Sequence, residues 1–274
     1  MNELCFNSMN RSAYFLPEED PDLLGQIAAA GRAGFAGFGP DGFSIDRFCR
    51  EGGRVEALRD AIAAAGMRTL ELPTLGLSKD RDQNAVETQR LVEIASVLSP
   101  DFVQLNIESA VDDGLLDDFR RAGDAFSKIG TRMAIEYLPW LPEVRDLKST
   151  RGLLDRASVE GAGVLVDTWH FTLSEDTWSE LESLALEEIA YIQFDDHPKL
   201  TCDDLIEETV SRRVMPGDGV FELDRFCGVI REKGYAGFVS CEVLSAEMRG
   251  MDLDAFAQLL FEKSVAFWPE SDPE

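Results

Sequence analysis

Residues 163–169 read GVLVDTW and residues 190–196 read AYIQFDD, two short apolar runs that each carry a polar residue near their end. Short, nearly continuous apolar runs are typical of strands that are buried on both faces of a parallel sheet. The segments that flank them have the three- and four-residue spacing of amphipathic helices. Runs of this kind occur eight times along the chain, at 4–9, 34–39, 67–72, 101–107, 132–138, 163–169, 190–196 and 237–243.

Helical patterning fills the intervals between these runs. Several of the helical segments end in a glycine just before the next run, as at Gly66, Gly130 and Gly234, which suits helix C-capping followed by a tight return. The spacing predicts eight helices, over 21–34, 53–66, 82–98, 115–130, 147–161, 177–188, 222–234 and 252–267.

The alternation of strand and helix predicts an α/β fold with a parallel sheet covered by helices. Eight units in 274 residues favour a single (β/α)8 TIM barrel over an open sheet, since such barrels typically take about 250 residues. An open nucleotide-binding sheet would carry a glycine-rich turn after its first strand, and residues 6–15, FNSMNRSAYF, contain none. We therefore predict one barrel domain over residues 1–274.

The net charge indicates which kinds of partner the protein binds, and the cysteine content indicates its compartment. The chain has 52 acidic and 26 basic residues, a net charge of −26 that repels phosphate backbones and anionic lipids. We therefore expect a small-molecule substrate and neither a nucleic-acid nor a membrane partner. No secretory signal or long apolar stretch is apparent, and the five cysteines are scattered without a CxxC pair. This pattern predicts a cytoplasmic protein in a reducing compartment.

Each of the last four predicted strands carries a polar side chain near its carboxyl end, where a TIM barrel places its active site. These side chains are Glu136, Asp167, Gln193 and Glu242. Because consecutive strands are neighbours, three carboxylates would lie close together and repel unless a cation neutralises them. The pattern predicts one divalent metal ion, Mn²⁺ or Mg²⁺ first because all ligands are oxygens, with Zn²⁺ or Co²⁺ as alternatives. The simpler interpretation of these four polar residues is that they form isolated salt bridges or cap helices.

The chain resembles the xylose-isomerase-like superfamily of sugar isomerases and epimerases. The resemblance is carried by AIEYLPW (134–140), VLVDTWHF (164–171), IAYIQFDDHP (189–198), RVMPGDGVFELD (213–224) and FVSCEVLS (238–245). It implies a metal held by a Glu, an Asp, a His or Gln and a Glu, which match the four residues above. Glutamine at the third place is similar to the hydroxypyruvate isomerase and dehydroshikimate dehydratase branches, and the resemblance also implies a homo-oligomer.

The same resemblance implies roles for residues beside the metal. His170 would hydrogen-bond a substrate oxygen, and Trp140 would contact the substrate. Arg213 would bind an anionic or hydroxyl group of the substrate. Arg212, the preceding residue, is the alternative for this role. The simpler interpretation is that the arginine lies on the surface and pairs with the acidic stretch 203–208. We predict that His197 faces solvent and that the long segment 197–220 forms a functional lid.

These residues imply abstraction of a proton next to a carbonyl. A divalent ion that chelates a carbonyl and its neighbouring hydroxyl acidifies that proton and stabilises the enediolate, and a carboxylate beside it can act as general base. Glu136, Glu242 and His170 are the predicted catalytic residues. We predict an isomerase or epimerase of a sugar or hydroxy-ketone, with a metal-dependent lyase or dehydratase and a non-catalytic binding barrel as alternatives.

One feature of the first half of the chain departs from the family pattern, and a second observation concerns the aromatic content of the pocket. Strand two, within GFAGFGP (34–40), lacks the acidic residue that relatives carry there. Aromatic residues near strand ends, Phe15, Phe38, Phe43 and Trp140, either pack under loops or line a pocket that is less polar than a simple sugar needs. A pocket of the second kind predicts a bulkier substrate, such as a glycoside or a cyclic ketone.

Overall fold

Nine parallel strands form the centre of the computed structural model, which describes residues 2–16, 18 and 20–269. The strands follow one another around the sheet in the order β3-β2-β1-β9-β8-β7-β6-β5-β4. Since β3 and β4 are consecutive in the chain but lie at the two ends of this order, the sheet curls into a nearly closed barrel. The predicted α/β barrel is confirmed. The strands are β1 (Leu4–Asn7), β2 (Gly37–Gly39), β3 (Arg68–Thr69), β4 (Glu71–Leu77), β5 (Phe102–Ile107), β6 (Arg132–Glu136), β7 (Gly163–Asp167), β8 (Ile189–Phe194) and β9 (Val239–Cys241).

The ninth strand arises because the third predicted strand is divided and longer than its apolar run. The run 67–72 becomes β3 and the start of β4, which continues to Leu77. Pro73 lies inside β4, and the pairing of β4 with β5 shifts register between Leu72 and Leu75. A proline has no N–H to donate to a neighbouring strand, so a register shift at this point is expected.

All eight predicted helices are present, and three short ones lie in the loops after β2, β7 and β8. Each of these three begins after an aspartate whose side chain accepts backbone N–H groups of the first turn: Asp41, Asp167 and Asp204. The helices are α1 (Leu23–Ala33), α2 (Gly42–Arg50), α3 (Val55–Ala64), α4 (Arg81–Leu98), α5 (Asp113–Ser127), α6 (Leu147–Ala157), α7 (Thr168–Leu173), α8 (Trp178–Ser183), α9 (Leu205–Ser211), α10 (Leu223–Glu232) and α11 (Leu253–Val265). In the described part of the chain, no helix is both long and apolar enough to cross a membrane.

An apolar plug fills the amino-terminal end of the barrel. It consists of inward-pointing side chains near the strand starts, with Tyr191 stacked on Phe238 at a centroid distance of 4.6 Å. Because side chains alternate between the two faces of a strand, the residue two positions later points inward again. On β7 that step leads from Leu165 to Asp167, and on β8 from Tyr191 to Gln193. The polar layer therefore lies directly above the plug, at the carboxyl end of the barrel.

Candidate metal centre and active-site cavity

A cavity of about 270 Å³ opens at the carboxyl ends of the strands. Five of the predicted site residues line it: Glu136, Trp140, His170, Arg213 and Glu242. Asp167 and Gln193 are completely buried beneath them. A larger surface groove of about 520 Å³ beside α5 and α6 contains none of the predicted site residues.

Three side chains form a compact group that could hold a metal ion. Glu136, Asp167 and His170 each offer a ligand atom, and these atoms lie within 4.8 Å of one another. His170 Nε2 is 3.1 Å from Glu136 Oε1 and 3.9 Å from Asp167 Oδ2. Asp167 Oδ1 accepts the backbone N–H groups of Trp169 and His170, so the start of α7 places the imidazole beside the carboxylates. The compact group thus includes His170, which the strand ends alone did not predict as a ligand.

The amide oxygen of Gln193 faces the same point. It lies 3.1 Å from Glu136 Oε1 and 3.2 Å from Asp167 Oδ2, and these contacts become hydrogen bonds only if the amide is reversed. A cation at this point would be coordinated by the amide oxygen together with the two carboxylates, whereas in the reversed orientation the NH₂ group would donate to both carboxylates. The donor set therefore fits a divalent ion at this point.

The second oxygen of Glu136 is held by two side chains that the sequence did not single out. Gln104 Nε2 donates to Glu136 Oε2 over 2.6 Å, and Asn106 Nδ2 donates to it over 2.7 Å. Both residues lie on β5, where they alternate with apolar residues in FVQLNI. That alternation inside a buried strand was the available signal. These bonds fix the Glu136 carboxylate and leave its Oε1 atom directed at Asp167 and His170.

Glu242 lies outside the compact group, although it lines the cavity. Asn7 Nδ2 donates to Glu242 Oε1 over 3.1 Å, and Arg213 Nη1 lies 3.3 Å from Glu242 Oε2. Burial raises the pKa of Glu242 well above its ordinary value, against the opposing charge of Arg213. Its role as the fourth ligand stays a prediction.

Arg213 is buried among carboxylates. Its Nη1 lies 2.9 Å from Asp167 Oδ2 and also donates to Asp195, while Nη2 donates to Thr209 Oγ1 over 2.8 Å. Burial acts to raise the pKa of Asp167, but Arg213 and His170 outweigh it and the pKa is lowered. Burial raises the pKa of Asp195 well above its ordinary value even though Arg213 opposes the change. Asp195, the first of two aspartates after β8, was not predicted to be a site residue.

Arg212, the residue before Arg213, lies nearer the surface. Arg212 pairs with Glu208 on α9, one turn earlier in the chain, and its side chain is partly exposed. The choice between the two arginines is therefore decided by the structure: Arg213 points into the barrel and Arg212 away from it.

The prediction that His197 faces solvent is wrong. His197 is completely buried, with Nε2 3.3 Å from Glu208 Oε2, and burial lowers its pKa. The cause is the course of segment 197–220, which folds back onto the barrel instead of extending into solvent. Asp196 accepts backbone N–H groups at both ends of this segment, from His197 over 2.8 Å and Phe221 over 3.1 Å. Thr209 and Arg213 of the same segment line the cavity.

The aromatic residues divide between the cavity and the core. Phe15, Phe43 and Trp140 line the cavity. Phe38 does not, because it is buried in the core with its ring stacked on Phe6 at a centroid distance of 5.7 Å.

Glu71 supplies an acidic side chain where strand two has none. It is completely buried on β4, where Ser240 donates to its Oε1, and burial raises its pKa to about 7. A Cβ atom at Gly39 on β2 would lie 2.4 Å from Glu71 Cγ, so the glycine leaves the space that Glu71 occupies. The absence of an acidic residue on β2 therefore accompanies a buried acidic residue on β4.

Residues 27–268 match the family model described as a xylose isomerase-like TIM barrel. The chain belongs to this family. Among curated proteins it is similar to a 3-dehydroshikimate dehydratase of Pseudomonas aeruginosa, with 27% identity over 88% of this chain and 39% of the relative. It is also similar to an inosose isomerase of Halalkalibacterium halodurans, with 28% identity over 43% of this chain and 41% of the relative. The matched part of the chain thus covers only about two fifths of the length of each of these relatives.

A solved structure shows the same fold. The IolI protein with a bound zinc atom matches with a TM-score of 0.83 at 17% identity, over 97% of each chain. The curated relatives of this family member are enzymes, a dehydratase and an isomerase. In the chain itself, buried oxygen and imidazole donors converge on one point, and these are donors that divalent transition metals accept.

Proposed function

We propose that this chain is a divalent-metal-dependent isomerase or epimerase of a sugar-like hydroxy-ketone. The observation that carries the proposal is that Glu136 and Glu242 line one cavity from different sides. Glu136 ends β6 and Glu242 follows β9, and two strands, β7 and β8, lie between them in the barrel. Two carboxyl groups that flank a bound ketone can remove a proton on one face and return one from the other.

The metal is proposed to be held by Glu136, Asp167, Gln193 and Glu242, as Mn²⁺ or Mg²⁺, with Zn²⁺ favoured if His170 joins the set. A divalent ion at this point supplies a Lewis acid that acidifies the proton next to a substrate carbonyl.

The chain's own residues position the substrate and move the proton. Gln104 and Asn106 hold Glu136 in one orientation, which a general base needs. His170 lines the cavity beside Glu136 and is placed to hydrogen-bond a substrate oxygen, while Trp140 forms an apolar wall next to the imidazole, with ring centroids 5.5 Å apart. Arg213 contributes positive charge from below the cavity. Return of the proton to the other face of the same carbon gives an epimer, and return to the neighbouring carbon gives an isomer.

A metal-dependent dehydratase is the second candidate. The match to the dehydroshikimate dehydratase extends over 88% of this chain, against 43% for the inosose isomerase. The first chemical step is the same, but the electron pair that proton removal releases would form a C=C bond, while a hydroxyl group on the neighbouring carbon departs with the electrons of its C–O bond and leaves as water.

Deuterium exchange separates the candidates. We expect metal-loaded protein in D₂O to introduce deuterium next to the carbonyl of a ketose or inosose, as followed by NMR, without loss of water from the substrate. Release of an unsaturated product would support the dehydratase. The variants Glu136→Gln and Glu242→Gln should each slow exchange by at least about 100-fold, within the usual range for removing a general acid or base. Glu175→Gln, at an 80% exposed side chain, is the matched control.

A non-catalytic binding barrel predicts a different result. Metal and ligand would bind, no deuterium would enter any candidate ketone, and both glutamate variants would behave like the unchanged protein.

A further inference from the structure

Four aromatic side chains stand at the mouth of the cavity, and we call them the aromatic rim: Tyr14, Phe15, Phe43 and Trp140. Tyr14 is 60% exposed and Phe43 is 41% exposed, although large apolar side chains are usually buried. Their ring centroids are 5.0 Å apart, and the ring of Phe15 lies edge-on to Tyr14 at the same distance. Tyr14, Phe15 and Phe43 therefore form one contiguous aromatic surface at the outer part of the cavity, with the Arg249 guanidinium 4.2 Å from the centre of the Phe15 ring, and Trp140 lies beside His170.

A buried carboxylate holds the two segments that carry Tyr14, Phe15 and Phe43 in one arrangement. Asp41, which is completely buried, accepts the hydroxyl hydrogens of Ser8 over 2.6 Å and Ser12 over 2.7 Å. Asp41 also accepts the backbone N–H of Ser44 and so begins α2, while the Ser44 hydroxyl accepts the N–H of Ala13. These bonds tie the loop after β1 to the start of α2.

The tie has a consequence for binding. Tyr14 and Phe15 follow directly on the bonded loop, and Phe43 lies in the first turn of α2. Since both supports are fixed before a ligand arrives, little entropy is lost when the rim binds one. A rim held in this way behaves as a preformed binding surface and not as a mobile apolar patch.

The side chains that line the cavity disfavour a second, anionic group on the ligand. Among the described residues that line it, Arg213 is the one lysine or arginine, and its Nη1 is already within 3.3 Å of Glu242 and 2.9 Å of Asp167. Glu108, Glu136 and Glu242 line the same cavity. Apart from the proposed metal ion, which the hydroxy-ketone would occupy, a phosphate or carboxylate at the outer end of the substrate would meet these carboxyl groups without a free lysine or arginine among the described residues that line the cavity.

We propose that the aromatic rim is a second subsite, which binds an uncharged ring with an apolar face that is attached to the hydroxy-ketone in the cavity. An aryl group and a second sugar ring share this chemistry, since both present a flat face of C–H or π surface to an aromatic side chain. The inference rests on the proposed function for the identity of the reacting part. It extends that function by naming an uncharged, two-ring substrate class.

The test compares four ketoses that differ only in the group attached to the O6 atom of fructose. The probes are D-fructose, 6-O-benzyl-D-fructose, the 6-O-glucosyl-D-fructose disaccharide and D-fructose 6-phosphate, each titrated into the metal-loaded protein and followed by NMR. We expect the benzyl or the glucosyl compound to bind about tenfold more tightly than fructose, which one or two aromatic stacking contacts supply. We expect fructose 6-phosphate to bind no better than fructose.

Variants connect the preference to the rim. The relevant quantity is the affinity for the ring-bearing ketose divided by the affinity for D-fructose. The double variant Tyr14→Ala, Phe43→Ala should lower this ratio to about 1. Val86→Ala, which removes a 59% exposed apolar side chain from α4 outside the cavity, should leave the ratio unchanged. Asp41→Asn should lower the ratio while all four aromatic side chains remain, because the rim loses its support.

The outcomes separate this inference from the proposed function. The titrations measure binding and do not require turnover. An absence of deuterium exchange would therefore contradict the proposed isomerase function without contradicting the proposed subsite. Preference for the benzyl compound alone supports an aryl ligand, and preference for the glucosyl compound alone supports a second sugar ring. Equal affinities for all four ketoses, or tightest binding of the phosphate, would overturn the subsite. So would a rim variant that changes the oligomeric state by light scattering but not the affinity ratio, since the rim would then face another copy of the chain.

Discussion

Nη1 of Arg213 lies 2.9 Å from Oδ2 of Asp167, although both side chains are almost completely removed from solvent. The same guanidinium reaches Asp195 and Glu242, so one cation lies beside three buried acidic residues. Pairs of this kind gain little over an apolar core but are costly to break, since the partner is left as an unpaired buried charge.

Removal of this cation should destabilise the barrel strongly. We expect Arg213→Ala to lower the free energy of unfolding by about 3–5 kcal/mol, measured by urea denaturation at pH 7. Arg32→Ala is the matched control, because both side chains of its pair with Asp254 are exposed and the pair should contribute about 1 kcal/mol or less. Addition of Mn²⁺ should restore part of the loss in the Arg213 variant, since the ion supplies positive charge beside Asp167. Equal losses in the two variants would refute this account of Arg213.

The metal site can be tested by affinity without any substrate. In chelator-stripped protein, Asp167→Asn should weaken Mn²⁺ binding at least about tenfold by calorimetric titration, since it removes the charge of a proposed ligand. Glu108→Gln, at an exposed side chain of the same cavity, should leave the affinity nearly unchanged. Unchanged affinity in the Asp167 variant would remove the proposed ligand set.

A second pair of variants decides which residues complete that set. Gln193→Ala should weaken Mn²⁺ most if the oxygen ligands predicted from the strand ends hold the ion. His170→Ala should weaken Zn²⁺ most if the compact group with its imidazole holds it. If neither variant changes the affinity for either ion, the metal does not bind at this point.

Glu71 should make stability depend on pH in the neutral range. Its pKa is raised from 4.5 to about 7 by burial, with Glu136 adding repulsion and Ser240 and Cys5 opposing the shift through hydrogen bonds. A carboxyl group with a raised folded pKa contributes stability that is complete below about pH 4.5 and is lost as the pH rises through about 7. Compared with Glu71→Gln, the unchanged protein should therefore lose up to about 3 kcal/mol of unfolding free energy between pH 5 and pH 8.

The comparison requires a control at an exposed acid. Glu175→Gln should leave the pH dependence of the unchanged protein intact, because the side chain is 80% exposed. Parallel stability curves for the Glu71 variant and the unchanged protein would show that Glu71 titrates as an ordinary acid.

Asp196 should control the order of segment 197–220. Its carboxylate accepts four backbone N–H groups, from His197, Gly217, Gly219 and Phe221. Since hydrogen bonds to charged groups contribute about 1.5–3 kcal/mol each, Asp196→Ala should lower stability by several kcal/mol and raise amide hydrogen exchange at residues 214–221. Asp218→Ala, at an exposed partner of Lys263, should do neither. Unchanged exchange in the Asp196 variant would mean that packing alone holds the segment.

Local patterns were enough to predict the barrel and part of its site. Apolar runs of strand length, helical spacing between them and glycines after the helices depend on nearby residues alone, and the structure has all of these elements. Glu136, Asp167 and Gln193 also converge as predicted, because parallel neighbouring strands bring their carboxyl ends to one edge. The helices α2, α7 and α9 were missed, and α7 and α9, with six and seven residues, are too short to show a helical period.

Contacts between residues far apart in the chain were decided only by the tertiary structure. Gly39 leaves space for Glu71, Asn7 holds Glu242, and segment 197–220 folds back over His197. The sequence by itself determined which side chains a strand directs inward, because that depends on a two-residue period. Which of those side chains touch across the barrel depends on how the sheet closes, and closure is set by the packing of all its strands together.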